Sequence, residues 1–180
     1  MLVFVRHGQT EDNVKGIATG RTDIPLNETG LQQAELVGEG LKNAHFDVVF
    51  VSPLLRARQT AAAILKHHPN TPVFYDERLM EREDGEATGR LLKEVYPNFA
   101  WDYDATYSYE GFETMDQMRA RIEDFYNEIL PQYKGKSILI VAHDGIGKMS
   151  RWIFEGLPES HHLDDYHFSN ARSFLLREDW

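Results

Sequence analysis

His7 and His143 are the residues of this chain best placed to do chemistry, because each follows directly on a short apolar run. Leu2-Val3-Phe4-Val5 ends at Arg6-His7-Gly8, and Ile138-Leu139-Ile140-Val141 ends at Ala142-His143-Asp144-Gly145. A third run, Val48-Val49-Phe50-Val51, leads through Ser52-Pro53 to Arg56. Open α/β sheets place ligands at the carboxyl ends of parallel strands, so three strands that each end in a cation or an imidazole make a convergent basic pocket. The guanidinium forks of Arg6 and Arg56 match tetrahedral oxyanions, and two imidazoles add a nucleophile and a further donor. The natural ligand is a phosphate, and these groups allow phosphoryl transfer through a covalent phosphohistidine, for which His7 must be neutral at the attacking nitrogen. A leaving alkoxide also needs a proton. Glu81, on the charge-rich loop 77–86, is the best acid by position, with Glu83, Asp84 and Glu86 as competitors. The chain carries neither a Gly-rich Walker loop nor the clustered carboxylates that hold magnesium around a nucleotide.

These residues need a scaffold, and 180 residues supply one domain that can bury about 70% of its unfolded-chain surface. We expect a single domain over residues 1–180, with 82–112 as a lid or substrate-specificity segment. The formal net charge is -10, from 29 Asp plus Glu against 19 Lys plus Arg, which argues against nucleic acid and anionic membrane as partners. An anionic, phosphorylated small molecule must then be captured locally. Cysteine is absent, which excludes disulfides, thiolate metal sites and a Cys nucleophile and fits a cytoplasmic location. Residues 2–5 are too short for a signal-peptide core, and no stretch approaches the roughly 18 apolar residues of a membrane span. The oligomeric state is open between monomer and homodimer. His67-His68 and His161-His162 read as solvated surface.

Breakers at Gly16, Gly20 and Pro25 make residues 11–27 a loop, and Asn27 caps a helix with Leu31, Ala34, Val37 or Gly38, and Leu41 on one stripe. Ser52 as N-cap with Pro53 at the first helical position starts a helix over 54–66, so that Arg56, in its first turn, aims back at the strand ends. Residues 73–75 read as a short strand and 90–96 as a short helix. The segment after Pro97 holds Phe99, Trp101, Tyr103, Tyr107, Tyr109 and Phe112, either a flap packed on the core or a lid over the site. Thr114 caps a long helix that buries Met118, Ile122, Phe125 and Ile129 and stops before Pro131. A helix over 146–155 and a last strand over 172–176 complete the chain. Strands apolar on both faces, alternating with helices, predict a three-layer α/β/α sandwich with a mostly parallel central sheet and a small helical or loop lid.

Taken together, Arg6-His7-Gly8-Gln9-Thr10 with Asn13, the run Thr19-Gly20-Arg21-Thr22-Asp23-Ile24-Pro25-Leu26 with Gly30, Ser52-Pro53-Leu54-Leu55-Arg56-Ala57-Arg58-Gln59-Thr60-Ala61, Glu81 with Gly85 and Gly89, and Val141-Ala142-His143 resemble the histidine phosphatase superfamily, in its phosphoglycerate mutase-like branch. Gly111, Glu113 and Thr114 also resemble the segment that opens the long helix in its phosphatases. The resemblance implies His7 as the phosphorylated nucleophile, Arg6, Arg56 and His143 as the phosphate pocket and Glu81 as proton donor. It implies no metal or other cofactor. Asn13 and the backbone around Thr19 and Gly20 would line the substrate side.

The chain departs from the family pattern at Asp144, which puts a carboxylate beside the phosphate pocket where relatives often have a small residue. It departs again at Ala87-Thr88, where many relatives carry Trp-Glu, and at Asp84, often apolar. Family mutases grip the phosphoglycerate carboxylate with a lysine and an Arg-Arg pair; residues 91–112 offer only Lys93 and no arginine. The leading reading is a cofactor-independent phosphomonoester phosphatase. The alternatives are a phosphoglycerate mutase, a catalytically silent phosphoryl-binding regulatory protein, a metallohydrolase built on His7, His143, Asp144 and Glu81, and core histidines without chemistry.

Overall fold

A computed structural model describes residues 1–96, 101–107 and 109–179. Five strands form one sheet: β1 (Leu2–Arg6), β2 (Val48–Val51), β3 (Val73–Tyr75), β4 (Ile138–Ala142) and β5 (Ser173–Arg177). Their order is β3-β2-β4-β1-β5, parallel throughout except for β5, which runs antiparallel along the β1 edge. Because successive side chains alternate across a sheet, each apolar strand feeds two cores. Val3, Val5, Val49, Val51, Leu139 and Val141 pack with α2 (Glu28–Leu41) and α3 (Leu55–Leu65) through Val37, Ala57, Ala61 and Ile64. On the other face Leu2, Phe4, Val48, Phe50, Ile138 and Ile140 meet Met118, Ile122, Phe125 and Ile129 of α5 (Met115–Gln132) and Ile146 and Met149 of α6 (Asp144–Glu155). The predicted α/β/α layering is thus observed, and the short helix expected over 90–96 is α4 (Leu92–Val95). Among the described residues no helix is long and apolar enough to cross a membrane.

Several local expectations need correction. The loop 11–27 contains a helix, α1 (Glu11–Lys15), which Thr10 and Asn13 close with a capping box. Ser52 does not cap α3: Leu54 holds that position without a side-chain bond. The Ser52 hydroxyl accepts the Leu54 N–H at 3.4 Å and lies closer to His143. Helix α5 runs past Pro131, because the Tyr133 N–H reaches Ile129 O and closes the last turn around the missing donor. Helix α6 begins two residues before expectation, with His143 as N-cap. Leu31 is exposed rather than on the buried stripe of α2. His68 is not a surface residue, since it is buried against Phe46 with Nε2 3.1 Å from Leu41 O.

The loop after β1 is seated on the start of α2 at van der Waals limits. A Cβ on Gly30 would stand 2.0 Å from Gln9 O, and one on Gly8 2.4 Å from Gly30 O. Both clashes are with backbone, so nothing can rotate away. Gly30→Ala is therefore expected to destabilise the fold by about 2–3 kcal/mol or more. Thermal or denaturant unfolding checks this; a loss below about 0.5 kcal/mol would contradict the close approach.

Candidate active site

Register brings the two histidines together. Arg6 of β1 pairs with Ala142 of β4, so His7 and His143 leave neighbouring strands at one level, and their rings meet edge-on at 5.1 Å between centroids. Val51 pairs with Val141, which brings Ser52 to the same edge. There Ser52 Oγ lies 2.7 Å from His143 Nε2.

His7 Nδ1 is 2.7 Å from Gly8 O. A carbonyl can only accept, so the proton sits on Nδ1 and the lone pair on Nε2. Burial holds the His7 pKa well below the usual imidazole value, and the charges of Arg56 and Arg6 depress it further. The ring is therefore neutral at pH 7, the state a nucleophile needs. His143 is wholly buried and is likewise held neutral, by burial first and then by Arg56 and His7.

Arg56 is 2% exposed, an unusual place for a guanidinium. It donates to Thr22 O at 2.8 Å and to Gly20 O at 2.9 Å, which anchors the 19–23 loop while each terminal nitrogen keeps a second N–H. Arg6 donates to Phe168 O at 2.7 Å and lies 3.3 Å from Asp144 Oδ1. Its Nε, like His143 Nδ1, is buried with no hydrogen-bond partner among the described residues. Such atoms are costly to leave unmet and await an acceptor or donor.

Glu81 accepts from the backbone N–H of Arg82 at 2.8 Å and of Gly145 at 3.2 Å. Burial nonetheless pushes its pKa up, and the Asp144 charge adds to this against the two N–H bonds. Its main chain is pinned in turn: Arg21 Nε and an Arg121 nitrogen both donate to Glu81 O, and Glu113 holds both arginines. The competing carboxylates have other partners. Glu83 accepts from Gly85 N–H, Glu86 is exposed and accepts from Glu110 N–H, and Asp84 is held by the Tyr96 hydroxyl at 2.6 Å.

A cleft of about 290 Å³ joins these groups. Arg6, His7, Arg56, Glu81, Asn13, Thr19, Gly20 and Asp144 all line it, whereas His143 lies beneath, against His7. Asn13 also caps α1, and Thr19 Oγ1 donates to Asp12 at 2.9 Å. Trp101, from the segment expected as a flap or lid, lines the cleft as well, together with Arg82, Tyr96 and Asp164, which the sequence reading did not place in the site. Arg82 is buried among the faces of Trp101, Tyr96 and Phe112, with 4.1 Å from its guanidinium to the Trp101 centroid. The segment 82–112 thus supplies one wall; Phe99, part of the expected aromatic flap, lies outside the described residues. Among the described residues no group of His, Asp and Glu could hold a metal ion.

The fold and cleft gather Arg6, Arg56, Glu81 and a neutral His7 at the carboxyl edge of a parallel sheet, an arrangement able to hold a tetrahedral oxyanion. Comparison with known proteins narrows that class: the model of the histidine phosphatase superfamily, branch 1, matches residues 2–178, and the chain belongs to this family. It is 43% identical over 131 residues to the fructose-2,6-bisphosphatase TIGAR of Xenopus tropicalis, covering 69% of this chain and 48% of that protein. The chain therefore spans about half the length of that relative. It is 38% identical over 152 residues to a 2,3-bisphosphoglycerate-dependent phosphoglycerate mutase of Cytophaga hutchinsonii, covering 79% of this chain and 71% of the mutase. A mycobacterial glucosyl-3-phosphoglycerate phosphatase superposes with a TM-score of 0.82 at 27% identity, covering 96% of this chain and 87% of that one. Phosphatases and mutases thus both occur among the relatives, and phosphohistidine chemistry is general to the family.

Proposed function

We propose that this chain is a phosphomonoester phosphatase that works through a phosphohistidine on His7. The observation that carries the reading is the Nδ1–H bond from His7 to Gly8 O, which aims a neutral Nε2 into a cleft also lined by Arg6, Arg56 and Glu81. Nε2 attacks phosphorus while Arg6 and Arg56 neutralise the phosphoryl oxygens. The P–O bond to the alcohol breaks, and protonated Glu81 gives its proton to the departing oxygen. Water then attacks the phosphohistidine, returns a proton to Glu81 and releases phosphate and neutral His7. His143 stays neutral against the His7 ring, beneath the cleft. The segment 82–112 serves as the wall that selects the alcohol, and we place the enzyme in the cytoplasm as a single domain.

A phosphatase is favoured over a mutase by the cleft wall. Lys93 is exposed and not part of the lining, and the described lining residues add only Arg82 to Arg6 and Arg56. The test is turnover of phosphomonoesters in the presence of chelator, beside an assay for exchange between 2- and 3-phosphoglycerate. Phosphate release that survives the chelator, without exchange, is expected. Robust exchange would make the chain a mutase, and dependence of the activity on metal would remove the proposed mechanism.

A further inference from the structure

Beside the phosphoryl end, the cleft is bounded by α6 and the turn at 163–165. Two carboxylates line this wall, Asp144 and Asp164, and both lie on one ammonium: Lys148 Nζ is 3.3 Å from Asp144 Oδ2 and 2.5 Å from Asp164 Oδ1. Lys148 itself is buried, one turn along α6 from Asp144, with its Nζ 5.6 Å from the Trp101 centroid. Asp164 also accepts the Trp101 N–H at 3.2 Å, which ties the aromatic wall to the acidic one.

The other charges of the cleft are matched. Arg6 and Arg56 face the phosphoryl dianion in the proposed reaction. Arg82 lies 3.8 Å from Asp84, which also takes the Tyr96 hydroxyl, so these groups form a neutral set. Glu81 acts in its protonated form in the proposed reaction, the form that burial favours. Asp144 also lies 3.3 Å from Arg6, so once Arg6 turns to the phosphoryl group Lys148 alone faces the two carboxylates and one negative charge is left over on this wall. Between the charged groups the surface is apolar and aromatic, from Ile17, Ala18, Leu92, Tyr96 and Trp101.

We infer that the Asp144–Lys148–Asp164 wall selects the substrate's alcohol by charge. This rests on the phosphatase reading above and deepens it. The site takes phosphomonoesters whose alcohol is uncharged or cationic, such as a polyol or an amino alcohol, and disfavours alcohols that carry a carboxylate or a second phosphate near the ester oxygen. Repulsion between one surplus charge and one such group in a half-buried cleft corresponds to about tenfold in specificity.

The experiment compares glycerol 3-phosphate with 3-phosphoglycerate, which differ in a CH₂OH against a carboxylate, and adds phosphoethanolamine as the cationic case. Each is read as kcat/KM or, for an ester that is not turned over, as a competitive Ki against p-nitrophenyl phosphate. The wild type should favour glycerol 3-phosphate and phosphoethanolamine over 3-phosphoglycerate by about tenfold or more. Asp164→Asn keeps an acceptor for Trp101 and removes the surplus charge, so the ratio should fall about three- to tenfold whatever happens to the absolute rate. Added salt should lower the wild-type ratio in the same direction, which needs no variant. Equal or better use of 3-phosphoglycerate by the wild type, or a ratio unmoved by both Asp164→Asn and salt, would overturn the charge selection while leaving the phosphatase in place. Failure to hydrolyse even p-nitrophenyl phosphate would instead overturn the phosphatase reading, and this inference with it.

Discussion

His7→Ala is expected to abolish phosphate release, with a loss of about 10⁴- to 10⁶-fold in kcat, because the proposed route has no second nucleophile. The cost follows from geometry. One ring nitrogen is committed to Gly8 O, and the other is the lone pair that enters the cleft. The position is buried, so folding needs its own control: His7→Asn keeps a polar side chain of similar reach. Both variants should retain the wild-type unfolding transition within about 2 kcal/mol and lose turnover. Full activity in either variant would end the phosphohistidine account.

Glu81→Gln should lower kcat for alkyl phosphates by about 10²- to 10⁴-fold, since an alkoxide then departs without its proton. With p-nitrophenyl phosphate the leaving group needs no proton, and the slow step passes to the attack of water. The variant should therefore release a burst of nitrophenol equal to the enzyme present, followed by slow turnover. The pH profile gives a second readout. Burial raises the Glu81 pKa, so the acid form persists above the usual carboxyl range and activity falls as pH rises through that pKa. Burial and two arginines depress the His7 pKa, so the acid limb lies below the ordinary imidazole value of 6.5, where protonation removes the lone pair. Glu81→Gln should erase the alkaline limb and spare the acid one. Persistence of the alkaline limb in the variant would assign it to another group.

The sheet and its catalytic edge could be read from the chain because the signals were strong and local. Doubly apolar strands ended in Arg6-His7, Ser52-Pro53 and His143, and parallel pairing brings such ends together. Glu81 was ambiguous among four nearby acids, since spacing along a loop says nothing of burial; the N–H groups of Arg82 and Gly145 single it out. Ser52 misled in a different way. Its sequence context fits an N-cap, yet the helix starts later, at Leu55, and the same hydroxyl that accepts the Leu54 N–H at 3.4 Å also makes a shorter, long-range contact with His143. Arg82 and Asp164 carry no local signal, and the aromatic run that includes Trp101 signals only a flap or a lid, because their role depends on how the segment 82–112 meets the 163–165 turn. Lys148 had a faint one, four residues after Asp144 on the same helix.

The central claim is a bond between His7 Nε2 and phosphorus, and rapid-quench mass spectrometry during turnover addresses it most directly. Wild-type enzyme mixed with p-nitrophenyl phosphate and quenched in base should carry one phosphoryl group on the peptide that contains His7, stable to base and labile to acid. The adduct should accumulate in Glu81→Gln and be absent from His7→Ala. A phosphoryl group on any other residue, or turnover with no adduct in Glu81→Gln, would contradict the account.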